Sequence, residues 1–402
     1  MNSSRIVELA TRIQELTKEL ESYLQENDIQ SPSFDEDGPV ELALSGHMLA
    51  AREEVLSSTL ELHDLFLGPS NCLRPVLNGV SLQAIYRFDI ARHVPVHGEI
   101  SFKELAEKCG LDAANLRRTL RFAMAYHHVF REPRKGFVGH TAASRRLVDD
   151  PTARAGLGYM FEEVWQGFCH TLPALEQYHS DDPGRTGWAH YHNTDMPPWQ
   201  YYSSHPEMAR RFAAAMSSFA NGHHNTPSFL VHGYDWGQFE QGMVVDIGGS
   251  KGNVSSLLAQ RYPELRLIVQ DLPSMVDGAA ESLPNDVRDR VAFQAHDFFT
   301  PQPVQANAYL FRNIFHNWSD SHGVRILQAL VPALRPGARI IVNDYLLPEP
   351  GTLSLLKERA VREREEADWI ELFRKADSRF AKLRIWTPEG ASMAIIEAVW
   401  EP

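Results

Sequence analysis

The chain has 402 residues, 43% hydrophobic and 23% charged, with a net charge of −13. That is enough for two domains and a sizeable buried core, and the acidic balance speaks against a nucleic-acid surface, which needs cationic side chains to neutralise phosphates. Cys72, Cys109 and Cys169 are too scattered for a disulfide framework or a CxxC metal clip, and no apolar run approaches a membrane span, so a reducing, cytoplasmic setting without a metal site is expected.

From the N-terminus, apolar residues recur at Ile6, Leu9, Ile13, Leu16 and Leu20 with Glu and Lys between them. This spacing predicts an amphipathic helix of coiled-coil type, which needs a partner. Residues 30–40, with Ser-Pro-Ser and Asp-Glu-Asp-Gly-Pro, break the pattern, so 1–40 reads as a helix and linker. Helical periodicity resumes through about Leu67.

Residues 84–150 have the pattern of a winged helix. Ser101-Phe102-Lys103-Glu104 is a capping box that opens a short helix, Gly110 turns the chain, and a second helix runs through Arg118 to about Tyr126. A small hairpin is expected between 129–132 and 136–138. Arg117, Arg118 and Arg121 have the placement of DNA-reading residues, but in so acidic a chain the module 41–155 is read as serving dimerisation or the substrate side. The stretch 156–236 is rich in aromatics and histidine, among them Trp165, Trp188, Trp199, Tyr201 and Tyr202. Most are read as packing and some as lining an apolar pocket.

Beyond Trp236 the texture changes. Short β-branched runs at 244–247, 267–270, 291–294, 308–311 and 339–343 alternate with helical stretches after Ser255, Val276 and His322. The alternation predicts a mainly parallel sheet with a ligand site at the carboxyl ends of its strands. Asp246-Ile247-Gly248-Gly249-Ser250-Lys251-Gly252 follows the first run and opens a helix, where glycines admit a ligand to the backbone and free N–H groups favour an anion. The loop lacks the Gly-Lys-Ser/Thr ending of a phosphate-binding Walker loop, and its GGxxG spacing departs from the GxGxxG of dinucleotide sites. Asp271 ends the second run, where a carboxylate can accept both ribose hydroxyls or cap the next turn. His296-Asp297-Phe298-Phe299 ends the third, with aromatic faces suited to adenine or to packing.

These residues carry a family resemblance. VVDIGGSKGNVSSLLAQRYPELRLIVQDLP, HDFFTPQPV, YLFRNIFHNWSD and ARIIVNDYLLP resemble the class I O-methyltransferases of the plant caffeate and flavonoid type and their fungal secondary-metabolite relatives, from about residue 80 to the end. The resemblance implies a Rossmann-like α/β methyltransferase domain, 156–402 with a helical substrate-side segment 156–236, preceded by a mostly α-helical, winged-helix-like dimerisation domain. It also implies a homodimer whose N-terminal helix is swapped, and S-adenosylmethionine on the Gly-rich loop. By motif position Gly248 would approach the methionine part, Asp271 the ribose, and Asp297 and Phe298 the adenine. Asp246, Gly249, Leu272 and Arg312 complete the cofactor set. His316 matches the general base, Asp344 the carboxylate that positions it, and Glu363 a second such carboxylate.

Histidine suits the abstraction of a phenolic or enolic proton, since its ordinary pKa near 6.5 leaves a neutral imidazole. The acceptor is expected to be a small polyketide- or pyridone-type metabolite. Residues 349–362 are shorter than the family's usual Met-rich stretch, which reshapes one wall of the acceptor pocket. Some fungal relatives keep S-adenosylmethionine bound yet catalyse dehydration and pericyclic ring closure. Arg312, Asn313 and a histidine among His127, His128 and His140 would serve that alternative.

Overall fold

A computed structural model describes residues 4–72, 78–220, 226–347 and 364–402. The chain divides into two compact units, Met1–Asn221 and Gly222–Pro402.

In the first unit the amphipathic helix Arg5–Glu26 buries Leu9, Leu16 and Leu24, and the helix His47–Leu67 packs along it. Arg5 is held in two-pronged fashion by Glu61, and Arg12 by Glu54. Part of the apolar seam is therefore covered by the chain's own second helix. Among the described residues no helix is long and apolar enough to cross a membrane.

The capping box forms as the sequence predicts: the Glu104 N–H donates to the Ser101 hydroxyl and the Glu104 carboxylate accepts the Ser101 N–H. It opens the helix Phe102–Cys109, and the helix Ala113–His127 follows. The expected hairpin forms in part: Arg131 and Gly139 bridge antiparallel through both backbone hydrogen bonds (2.9 Å each). Strand β1 (Glu99–Ser101), which the sequence pattern did not show, is the antiparallel partner of β2 (Phe137–Gly139). The Glu132 carboxylate accepts both prongs of Arg121 and the Gly136 N–H, contacts that hold it down at a pKa of about 2 and tie the two ends of the 132–136 turn together. Arg121 is thus engaged within the fold.

Further along, helix Pro206–Ala220 packs against Pro151–Tyr159, so the helices up to Asn221 join the first unit. The chain then takes a π-helical turn, Met160–Val164, that carries the wholly buried Glu163. Arg211 and the Tyr202 hydroxyl both donate to its carboxylate, which is what makes its burial tolerable.

The second unit is a seven-stranded sheet in the order β5-β4-β3-β6-β7-β9-β8. Strands β3 (Met243–Ile247), β4 (Arg266–Asp271), β5 (Val291–Ala295), β6 (Ala308–Arg312) and β7 (Arg339–Asp344) are parallel and lie within a residue or two of the predicted runs. The central strands β3, β6 and β7 read as almost continuously apolar because both faces are covered, whereas the edge strand β5 is partly exposed. Val245, Ile247, Tyr309, Phe311, Ile340 and Val342 face one core with Phe315, Ile326 and Trp369. Val244, Leu267, Val269, Leu310 and Ile341 face the other with Trp236, Leu230 and Leu258.

Helices Asn253–Arg261 and Asp320–Leu330 stand where expected, whereas only a 3-10 turn, Ala279–Ser282, follows Val276. The antiparallel pair β8 (Phe380–Trp386) and β9 (Ala394–Trp400), with the helix Glu366–Ala376, completes a fold that the sequence pattern left blank after Asp344.

Candidate active site

Strand β3 is flanked by β4 on one side and β6 on the other, so the connections leaving it run in opposite directions and a crevice opens at the carboxyl ends. Every cofactor and catalytic residue expected from the sequence, Glu363 apart, lies on or just after one of these strand ends. Glu363 lies outside the described residues.

Gly248 leaves β3 with φ +72°, a conformation that favours glycine, and a Cβ there would lie 2.3 Å from Ile314 Cδ1 across the crevice. The Gly248 N–H donates back to the Gln270 carbonyl (2.7 Å), which folds the loop onto β4. Ser250, also at positive φ, donates its N–H to Asp271 Oδ2 (2.9 Å), while Asp271 Oδ1 accepts the Leu272 N–H (2.7 Å). Asp271 therefore ties the glycine loop to the β4 end and braces the next residue's backbone without capping the short helix Pro273–Val276, with lone pairs of both oxygens remaining for hydroxyl donors. Burial raises its pKa against these two N–H groups. Leu272 beside it is exposed.

Asp246 occupies a different position. Its carboxylate is buried within the loop, accepts the Ser255 hydroxyl (2.7 Å) and lies where a Cβ on Gly249 would meet it at 2.7 Å. It shapes the loop from within. Burial lifts its pKa to about 6, opposed by the Ser255 hydroxyl and by the nearby Arg312. A carboxyl raised in the folded state binds extra protons there between pH 4 and 6, so its contribution to stability is complete below pH 4 and is lost as pH rises through 6. We expect Asp246→Asn, which cannot titrate, to gain stability relative to wild type by roughly 3 kcal/mol between pH 4 and pH 7.5, an order-of-magnitude figure. Urea melts of both proteins at the two pH values check this, and a stability difference that does not change with pH contradicts it.

After β5, Asp297 is exposed and turns its carboxylate onto the Phe299 N–H (3.0 Å). Phe298 and Phe299 are half-buried and pack against each other and Trp318, with ring centroids 5.0, 5.8 and 4.6 Å apart. The packing role considered for this pair is thus present, and Trp318, quoted in the sequence only within YLFRNIFHNWSD, joins the β5 and β6 loops. His296 Nε2 is buried with no hydrogen-bond partner among the described residues, a polar atom at the crevice that the motif reading passed over. Such an orphan, with the Gly248 cradle and the Asp271 carboxylate, fits an adenosyl cofactor at this crevice.

On the β6 side, Arg312 donates from Nε to the Asn343 side-chain oxygen (3.0 Å), and Asn343 is fixed by donating to the Ala394 carbonyl (2.9 Å). Burial lowers the Arg312 pKa, opposed by Asp246, Tyr345 and Asp344.

His316 follows in the short 3-10 turn Phe315–Asn317. Its Nδ1–H donates to Asp344 Oδ1 at 2.8 Å, and its backbone N–H to Asp344 Oδ2 at 3.2 Å. The Asp344 side chain is 1% exposed and that of His316 24%. One carboxylate at the end of β7 therefore fixes both the loop and the imidazole at the end of β6, and it selects the tautomer whose basic lone pair is on Nε2.

Comparison with known proteins agrees with this geometry. Residues 178–378 match the sequence model of a family described as the O-methyltransferase domain. The chain is 50% identical to the O-methyltransferase pyvH of Aspergillus violaceofuscus, with all of both chains covered. It is 45% identical to the grayanic acid biosynthesis cluster O-methyltransferase of Cladonia grayi, over 99% of this chain and 88% of that one. The solved structure of OxaC in complex with sinefungin and meleagrin shares the fold, with a TM-score of 0.74 at 20% identity over 97% of this chain and 99% of that one. The chain belongs to the O-methyltransferase family of fungal secondary metabolism, and its cofactor is that family's methyl donor, S-adenosylmethionine.

Proposed function

We propose that this enzyme methylates a phenolic or enolic hydroxyl of a small secondary metabolite, with His316 as the base. The observation that carries the reading is the 2.8 Å bond from His316 Nδ1–H to the buried Asp344 carboxylate. Bound at the crevice, S-adenosylmethionine supplies a methyl group already activated for in-line displacement by its positive sulfur. The remaining work is to align the acceptor oxygen and to remove one proton. His316 takes that proton at Nε2, and Asp344 stabilises the imidazolium that results without itself becoming protonated.

In this reading Gly248 and Gly249 let the cofactor's methionine part reach the backbone, Asp271 accepts the ribose hydroxyls, and Leu272, Asp297 and Phe298 border the adenine. Asp246 supports the loop, and Arg312 lies between Asp246 and the Asp344 pair. The homodimer belongs to the same proposal. The helix pair Arg5–Glu26 and His47–Leu67 leaves Ile6, Val7, Leu56, Leu65 and Phe66 exposed, which suits burial against a second copy. Sedimentation equilibrium is expected to give twice the chain mass.

The test of the chemistry uses methyl-labelled S-adenosylmethionine and a panel of simple phenols and hydroxypyridones. Label recovered in an acceptor, with an equal amount of S-adenosylhomocysteine, is the expected result. An acceptor converted while the cofactor is recovered unchanged overturns methylation in favour of a dehydrating or pericyclic enzyme on the same fold.

A further inference from the structure

The charge-rich run before the helix Glu366–Ala376 has the pattern of a solvated face, yet Arg364 is turned inward. Its side chain is 12% exposed, and each of its three guanidinium nitrogens donates a hydrogen bond. Nη1 donates to the Phe315 carbonyl (2.9 Å), Nη2 to the Trp318 carbonyl (2.6 Å) and Nε to Asp320 Oδ1 (2.8 Å). The cation also lies 5.5 Å from the ring centre of buried Trp369, which itself meets Phe315 edge-on. Its own backbone is pinned in turn, because the Arg364 carbonyl accepts the Leu347 N–H (2.8 Å) and Leu347 bridges in parallel to Glu365.

All three acceptors belong to the span 315–320, and His316 lies inside it. The Phe315 carbonyl already accepts the Trp318 N–H (3.1 Å) that closes the 3-10 turn Phe315–Asn317, so Nη1 of Arg364 adds a second donor to that closing carbonyl while Nη2 takes up the Trp318 carbonyl just past the turn's end. Asp344 grips His316 from the β7 end through both oxygens, as described above. Arg364 grips the same turn from the segment that leads into Glu366–Ala376. The imidazole is thus set by two anchors that are far from it and from each other in sequence.

We propose that Arg364 is a positioning residue for the reaction: by bonding the Phe315 and Trp318 carbonyls and Asp320 at once, it holds the His316 turn so that the imidazole stays on Asp344 with Nε2 directed at the acceptor hydroxyl. The proposal rests on the reading of His316 as the base. A planar fork with several donors is required, which lysine cannot reproduce, so both Arg364→Lys and Arg364→Met are expected to loosen the turn. A displacement of about 1 Å at a base costs on the order of 100-fold in rate.

Two measurements test it. In protein labelled with ¹⁵N-histidine, the Nδ1–H resonance of His316, assigned by its absence in His316→Gln, is expected well downfield in the wild type and lost or broadened in both Arg364 variants while their thermal midpoints remain above the assay temperature. If both variants retain that resonance at its wild-type shift, the proposal is overturned. In the methyl-transfer assay each Arg364 variant is expected to lower kcat by about 10- to 100-fold, with the KM for S-adenosylmethionine unchanged. The same substitution is expected to have no further effect in a His316→Ala background, because residues acting through one group are not additive. Additive losses mean that Arg364 acts elsewhere, and this too overturns the proposal. If His316→Ala alone keeps the wild-type rate, the reading of His316 as base falls, and the histidine resonance still reports separately whether Arg364 holds the turn.

Discussion

His316→Ala is expected to lower kcat for methyl transfer by about 10²–10⁴-fold while leaving the affinity for S-adenosylhomocysteine within about twofold. The two halves of this expectation come from different parts of the crevice. Nε2 of His316 is the proposed proton acceptor, and its loss leaves the acceptor hydroxyl to shed its proton to water. Of the proposed cofactor contacts only Arg312 shares the β6 end with His316, those at Gly248, Asp271 and Phe298 being on other strand ends, and Asp344 keeps bonds to the backbone N–H groups of residues 316 and 345 when the imidazole is gone. Single-turnover label transfer and calorimetric titration with S-adenosylhomocysteine measure the two quantities. A variant that binds the cofactor product normally and still transfers methyl at the wild-type rate removes His316 from the mechanism. A loss of binding that equals the loss of rate assigns the histidine to the cofactor instead.

Asp344→Asn provides the companion result. The amide oxygen can still accept the His316 Nδ1–H and the Tyr345 N–H in place of Oδ1, but the amide NH2 that replaces Oδ2 cannot accept the His316 backbone N–H. The neutral group also cannot stabilise an imidazolium, so kcat is expected to fall, whereas Asp344→Ala removes every one of these acceptors and disturbs the loop more.

Much of this site was legible in the sequence because each part of it is local. A strand that ends in Asp-Ile-Gly-Gly and passes into a helix needs only seven residues to be seen, and the successive strand ends at Asp271, Asp297 and His316 follow from the alternation of strand and helix. The pairing of His316 with Asp344 was legible only through the family resemblance; the structure supplies its physical reason, which is that parallel neighbours β6 and β7 bring their carboxyl ends together. What stayed hidden depends on direction rather than on position. The pattern places Asp246 at the loop but does not say that its carboxylate turns inward onto Ser255, a choice made by the packing of helix Asn253–Arg261 against the sheet. Arg364 is hidden for the opposite reason: a single inward arginine in a charged run leaves hydropathy unchanged. The β1–β2 pairing was missed because the short run near Phe137 carries no sign of which distant strand it will join, and the local hairpin was the nearer candidate.

The glycine loop gives the second large effect, and two neighbouring substitutions are expected to separate binding from folding. At Gly248 an added methyl group points across the crevice at the tip of Ile314, a side chain that can turn aside, so steric cost inside the protein is small. The cost is instead a left-handed φ of +72°, about 1–2 kcal/mol for an L residue, together with a methyl group in the space where the cofactor must approach the backbone. Gly248→Ala is therefore expected to weaken S-adenosylhomocysteine binding by about 100-fold, roughly 2.7 kcal/mol, with a modest drop in thermal midpoint.

At Gly249 the backbone is not in the left-handed region, but the new Cβ would lie 2.7 Å from the buried Asp246 carboxylate and 2.8 Å from Val269 on β4. Neither neighbour has room to retreat, since Asp246 is bonded to Ser255 and Val269 is in the core. Gly249→Ala is expected to destabilise the second unit by about 1–3 kcal/mol, while the molecules that do fold keep most of their affinity for S-adenosylhomocysteine. Thermal melts with and without S-adenosylhomocysteine distinguish the two. The ligand should raise the midpoint of Gly249→Ala once the protein is cooled enough to fold, and should barely raise that of Gly248→Ala at any temperature. The reverse pattern means that the cofactor approaches the loop at Gly249, and that Gly248 serves only the turn.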